Sequence, residues 1–207
     1  MAIRAEHFDF LSNLDTLTAV VAGAVLATAG GFIGTQIEHR VDMRRRERNA
    51  ALFFGEIMSL LSVSVAAAKR ARGIGDPFGP VTMRILRTIR RELDIYERNR
   101  ERLFELSDPA LRARIHTTLL RTTMGVEGAL ESAAEASDIQ TEFQMSPEMS
   151  SARREHLDAK LAQRLRLRDG GFDFLVEASE QAAKLAKELE PIARVDFEKL
   201  VRATRDA

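Results

Sequence analysis

The sequence predicts an all-α protein: an N-terminal single transmembrane helix followed by an antiparallel helical bundle. Three observations carry this. No segment alternates apolar and polar residues over a strand's length. Apolar positions recur at three- and four-residue spacing through most of the chain beyond residue 80. The 12 Gly and 5 Pro of the 207 residues gather at a few breaks and leave long uninterrupted stretches.

Composition narrows the class further. Basic and acidic side chains balance at 31 each, unlike a dedicated nucleic-acid binder, which usually runs basic. Apolar residues at 45% are too many for disorder throughout. The absence of Cys excludes disulfide scaffolds, thiolate metal sites and Cys nucleophiles. Of the basic residues 26 are Arg, and Ala is plentiful, a bias typical of a GC-rich bacterial genome.

The first element spans residues 16–37, TLTAVVAGAVLATAGGFIGTQI, with no charged side chain between Asp15 and Glu38. As a helix it is about 33 Å long, matching a hydrocarbon core of about 30 Å. A cleaved signal peptide is the rival reading, and Ala27-Thr28-Ala29 fits a cleavage site. Its basic start is missing, because Arg4 stands alone against Glu6, Asp9 and Asp15. The C-terminal flank carries Arg40, Arg44, Arg45, Arg46 and Arg48. The positive-inside rule therefore places residues 1–15 outside as a short tail and the rest in the cytoplasm, at a bacterial inner membrane. The same arginines are placed to meet lipid head groups. Small residues line the span. Gly23, Ala27 and Gly31 share one face, and Gly30 and Gly34 form a Gly-x-x-x-Gly pair beside it. Such stripes let helix backbones approach in lipid, which points to a homodimer.

Residues 38–72 continue as helix. Within them 50–68, AALFFGEIMSLLSVSVAAA, carries one charge, Glu56, and rivals the first span in hydropathy. A second span would put Glu56 near mid-bilayer, at a cost of roughly 2.5–3.5 kcal/mol. Glu56, Ser59 and Ser62 can instead share one sector of a bundle helix, opposite Phe54, Ile57 and Leu61. Residues 72–80, RGIGDPFGP, break the chain. No Gly-Lys-Ser/Thr ending follows, so this is not a phosphate loop. The spacing then predicts an amphipathic helix over 81–106, with Leu86, Ile89, Leu93 and Tyr96 in a coiled-coil-like seam. Ser107-Asp108-Pro109 supplies a cap and a helix-starting Pro, and the next helix carries Leu111, Ile115, Leu119, Val126 and Leu130. So short a link forms a hairpin, completing a region over 38–136. The C-terminal helices occupy 137–207. Residues 137–145 lose periodicity and read as a loop, and Ser146-Pro147-Glu148 as a new start. Asp169-Gly170-Gly171 should end or break the helix through Leu157, Leu161 and Leu165, and Pro191 should kink the one that follows.

Catalytic and metal signatures are missing. His7, His39, His116 and His156 lie on different elements, and none has a zinc-protease partner. The chain contains no Gly-x-Ser-x-Gly elbow and no Glu-x-x-His. Seven arginines mark the 81–106 helix (Arg84, Arg87, Arg90, Arg91, Arg98, Arg100, Arg102), with four acids among them. They read as a solvated face, with anionic lipid or an acidic partner as the alternative.

The run Ile95-Tyr96-Glu97-Arg98-Asn99-Arg100-Glu101-Arg102-Leu103, continuing to Ile115, resembles a segment shared by small membrane-anchored bacterial helical proteins of unknown function. The resemblance covers roughly residues 17–120 and includes Gly55-Glu56-Ile57. It implies an anchored helical domain and no catalytic residues. Physically, Tyr96 and Asn99 share a face just before the hairpin and should hydrogen-bond across it, with Glu56 a third polar residue of that contact set.

The functional expectation is a membrane-anchored interaction protein, a scaffold, adaptor or accessory subunit, without enzymatic activity or cofactor. Its partners would be membrane lipids, a further protein and a second copy of itself, but not nucleic acid. Two alternatives stay open: a signalling module acting through the membrane-proximal helix, and a two-span phage- or stress-related membrane protein.

Overall fold

The computed structural model describes residues 6–146 and 148–205. Among them run α1 (Glu6–Arg72), α2 (Pro80–Arg98), a 3-10 turn (Arg100–Glu105), α3 (Pro109–Met145), α4 (Ser151–Ala193) and α5 (Phe197–Arg205), with no strand. Residues 1–5 of the expected outer tail, including Arg4, and Pro147 of the expected start signal lie outside the described residues. Contacts divide the chain into two compact units, 1–45 and 46–207.

In the first unit, every side chain described from Thr18 to Arg45 is exposed. Val20, Val21, Val25, Leu26, Phe32, Ile33 and Ile37 each show more than half their surface. The hydroxyls in this stretch turn back on their own helix. Thr28 Oγ1 donates to the Ala24 carbonyl at 2.8 Å and Thr35 Oγ1 to that of Gly31 at 2.9 Å.

In the second unit, α1 buries one face through Ala50, Phe54, Met58, Leu61, Val65 and Ala68. Glu56 is exposed, and Ser59 and Ser62 are half-buried. Between Thr18 and Arg72 of α1, the most hydropathic 18-residue window is 44% buried. No residue from 18 to 46 is buried, so that window falls in the later, packed stretch. The Gly- and Pro-rich break follows. Gly75 takes φ 81°, a backbone that favours glycine. The Phe78 amide donates to Asp76 Oδ1 at 3.0 Å, and Pro80 opens α2.

α2 buries Thr82, Leu86, Ile89, Leu93 and Tyr96, the expected seam. It stops at Arg98 rather than continuing to 106. Asn99 leaves the helix at φ −121°, and its side-chain Nδ2 donates to the Ile95 carbonyl at 2.8 Å. A short amide that bonds nearby backbone offers the chain this alternative to a further α-turn. The 3-10 turn then buries Leu103, and Leu106 behind it is buried too. Asp108 caps α3 by accepting from the Ala110 amide at 2.8 Å, with Pro109 in the first turn.

α3 runs through the expected loop at 137–145, because Ala136 and Ile139 find cover that local periodicity does not reveal. α4 likewise passes unbroken through Gly170 and Gly171. The reason is packing. A Cβ on Gly171 would lie 3.0 Å from the Ala129 amide nitrogen and 3.3 Å from the Gly125 carbonyl oxygen. One on Gly125 would lie 3.0 Å from the Leu175 nitrogen and 3.1 Å from the Gly171 oxygen. The glycines serve backbone contact, not termination. Along this pair the partners run in reverse order: Arg114 with Glu188, Arg121 with Glu177, Glu135 with Arg164, Glu142 with Arg153. Pro191 sits within the last turn of α4, and Arg194 ends the helix in the left-handed region at φ 59°. Asp196 then caps α5, accepting from the Lys199 amide at 2.9 Å, which holds its carboxyl below the usual range. The ring of Phe197 fills the place a Cβ would take on Gly55, joining α5 to α1.

Two adjacent glycines thus carry opposite expectations. Gly170→Ala meets open space and should stabilise by up to about 1 kcal/mol through helix propensity. Gly171→Ala meets backbone atoms that cannot swing aside, and overpacking of roughly 1–3 kcal/mol should outweigh that gain. Thermal midpoints moving in opposite directions are the expected result.

Candidate functional site

The residues singled out from the sequence fall into three places. Gly23, Ala27, Gly30, Gly31 and Gly34 all lie on the exposed stretch of α1. A Cβ placed on any of the four glycines meets nothing within 4 Å, so the stripe is open surface. Arg40, Arg44, Arg45, Arg46 and Arg48 are exposed as well. Of these, Arg48 makes a long-range bond, from Nε to the Ala193 carbonyl at 3.1 Å, tying α1 to the end of α4.

The expected polar set of Glu56, Tyr96 and Asn99 is not one cluster. Tyr96 is fully buried and does cross the hairpin, its hydroxyl 2.7 Å from Nδ1 of His116 on α3. Asn99 spends its amide on its own helix, as described above. Glu56 is exposed on α1. What sequence reasoning missed is His116. A hairpin centred on Leu106 places residues 96 and 116 opposite each other, each ten positions away. That symmetry was the available signal.

The surroundings of Tyr96 follow from its burial. The Phe54 ring meets it edge-on at 6.3 Å. Burial, reinforced by the Glu97 carboxylate and opposed by Arg100, pushes the Tyr96 phenol up to about 12. At neutral pH the phenol is therefore protonated, and it donates to Nδ1 in the imidazole tautomer that carries its proton on Nε2. Nearby, the Ser107 amide and hydroxyl both donate to Glu47 Oε1, fastening the link between α2 and α3 to α1. Arg102 stacks 4.8 Å above Phe53.

At the break between α1 and α2 lies a cluster the sequence did not suggest. Arg72 stacks on Phe172 at 4.3 Å and on Phe78 at 4.8 Å, and Arg168 on Phe78 at 3.9 Å. Asp169 accepts from both guanidinium groups, at 3.5 Å from Arg72 and 3.3 Å from Arg168. Beside it opens a cavity of about 820 Å³ between α2, α3 and α4. Among the described residues no three His, Asp or Glu side chains gather where they could hold a metal ion. Arg114 is held above its usual range by its bond to Glu188, a surface contact away from this cavity.

Two measurements follow. Tyr96 is the sole Tyr, and Trp is absent, so phenolate absorbance reads this one group. Its ionisation midpoint should lie near pH 12 in the folded protein, above the ordinary 10. A folded pKa raised above the unfolded one gives stability fully present below pH 10 and lost as pH climbs through 12. In a bacterial two-hybrid membrane reporter of self-association, the small-residue stripe predicts a weaker signal for Gly31→Ile than for Val25→Ile. Equal behaviour of the two variants would remove the stripe as an interface.

No family model, curated protein or solved structure matches this chain.

Proposed function

We propose that this chain is a membrane-anchored interaction protein, a scaffold, adaptor or accessory subunit of a bacterial inner-membrane complex. It crosses the bilayer once through residues 16–37, with its N-terminus outside and an antiparallel helical bundle in the cytoplasm. The resemblance to small membrane-anchored helical proteins is in keeping with this, and the reading assigns no catalytic step and no cofactor.

One observation carries the proposal: the contrast within α1. Residues 18–37 expose a continuous apolar surface, whereas the comparably hydropathic stretch at 50–68 is packed into the second unit. Uncovered apolar surface of that extent calls for lipid or a partner. The Thr28 and Thr35 hydroxyls, bonded to their own helix, remove the unsatisfied donors that hydrocarbon would penalise. A second span through 50–68 would strip Phe54, Met58, Leu61 and Val65 from their packed neighbours and sink Glu56 in lipid. The reversed order of ion-pair partners along α3 and α4 supports the antiparallel arrangement. Orientation rests on five arginines after the span against Arg4 before it.

The absence of native Cys makes topology directly measurable. Ser12→Cys should react with an impermeant thiol reagent in intact cells once any outer membrane is permeabilised. Ser146→Cys should react only after the inner membrane is opened. Labelling at position 146 in intact cells would overturn the single span, and with it the cytoplasmic bundle.

A further inference from the structure

We propose that the cavity between α2, α3 and α4, together with the exposed face of α2, receives an acidic amphipathic helix of a partner protein. One large apolar side chain of that helix enters the cavity, and its carboxylates pair with Arg84, Arg87 and Arg91. The inference rests on the interaction-protein reading and names the chemistry of the partner.

The cavity has two kinds of wall. Met83, Leu130, Ala133, Ala134, Ala136 and Leu165 supply apolar lining, with Ser137 and Gln140 beside them. The small alanines leave the space: at about 820 Å³ it exceeds what one bulky side chain fills and stays within the ~300–1,000 Å³ of ordinary binding clefts. The charged lining is three arginines, Arg84, Arg87 and Arg168, against one carboxylate, Asp76. Asp76 is already engaged, accepting the Phe78 amide, and Arg168 is held by Phe78 and Asp169. Arg84 and Arg87 are exposed and have no ion-pair partner among the described residues. Arg90, on the same helix, shows the contrast, bound to both Asp94 and Glu127. Three lining guanidinium groups against one carboxylate, two of them without an ion-pair partner among the described residues, make a surface complementary to carboxylates.

The exposed face of α2 extends this surface in the direction a helix would need. Val81, Arg84, Thr88, Arg91, Ile95 and Arg98 are all exposed and follow one another at alternating three- and four-residue steps. That is the spacing of a helix-pairing seam, here facing outward, while the parallel seam through Leu86, Ile89 and Leu93 is buried. Val81 is 64% exposed and Ile95 42%, so the stripe offers apolar contacts between its charges. From Val81 to Arg98 it runs about 25 Å along the helix, room for a partner helix of similar length. A recess partly lined by apolar side chains suits a protruding apolar side chain, which a lipid head-group surface does not present.

The experiment uses the full chain, purified in nanodiscs of phosphatidylcholine alone. The probe is a fluorescein-labelled synthetic helix of about three heptads with Leu at the seam positions and Glu elsewhere. Fluorescence anisotropy should show saturable binding that weakens as salt is raised. Arg84→Glu with Arg87→Glu should weaken it about tenfold or more, with the thermal midpoint unchanged because both side chains are exposed. Lys160→Glu with Arg166→Glu, the same change of charge on an exposed stretch of α4, should leave affinity within about twofold. Replacing the seam leucines of the probe by Ala should abolish binding. No saturable binding, or equal binding by the double variant, would overturn the proposal. So would vesicles of phosphatidylglycerol that bind the wild-type chain, but not the double variant, in place of the peptide. Binding is read on purified protein, so its failure leaves the labelling result standing, and a failed labelling test leaves the binding result standing.

Discussion

The close crossing of α3 and α4 at Gly125 and Gly171 sets the geometry on which most of residues 46–207 depends. Backbone meets backbone there, with carbonyl and amide atoms where side chains would ordinarily stand. This brings Leu119, Val126 and Ala129 of α3 into one continuous core with Phe172, Leu175 and Ala182 of α4. The inward face of α1, from Ala50 to Ala68, and the seam of α2 join the same core. The ion pairs that flank the crossing are exposed to solvent and add little individually. Close packing and apolar burial hold the unit together, and only glycine permits the approach.

α1 carries two surfaces of different kind. From Ala50 onward its apolar residues alternate with small and polar ones, so one face can be buried while Glu56 faces solvent. Between residues 18 and 37 every side chain, apolar ones included, is exposed, and none of the described residues buries them. A soluble helix cannot leave such a cylinder in water without a partner. The anchoring proposal follows from this difference in pattern rather than from hydropathy, in which the two stretches rival each other.

Polar contacts in the second unit concentrate at its two ends. At one, the pair of Tyr96 and His116, the bonds from Ser107 to Glu47 and the stacking of Arg102 on Phe53 lock the 3-10 turn against α1. At the other, Arg72 and Arg168 clasp Phe78 and share Asp169. Both sets satisfy their own groups. Arg84 and Arg87, next to the second set, are not drawn into it.

The all-helical class, the apolar N-terminal length, the break at 72–80, the seam of α2 and the Asp108-Pro109 start were legible in the residues alone. Each is a local property, fixed by side-chain periodicity, by a cap or by the φ preference of Gly and Pro within a few positions. Three features were not legible. Gly170-Gly171 reads as a helix stop but lies mid-helix, because its conformation is decided by Gly125, more than forty residues away. Residues 137–145 read as loop but are helical, because Ala136 and Ile139 are covered only once the helices meet. Of the two side chains expected to bond across the hairpin, Tyr96 meets His116 while Asn99 bonds back to Ile95, because a side chain near a helix end chooses between its own backbone and a neighbour brought close by folding. Local pattern sets which segments are helices and which face of each is apolar. Which faces meet, and which polar groups are left for other molecules, depends on contacts between residues distant in sequence, and only the packed structure decides them.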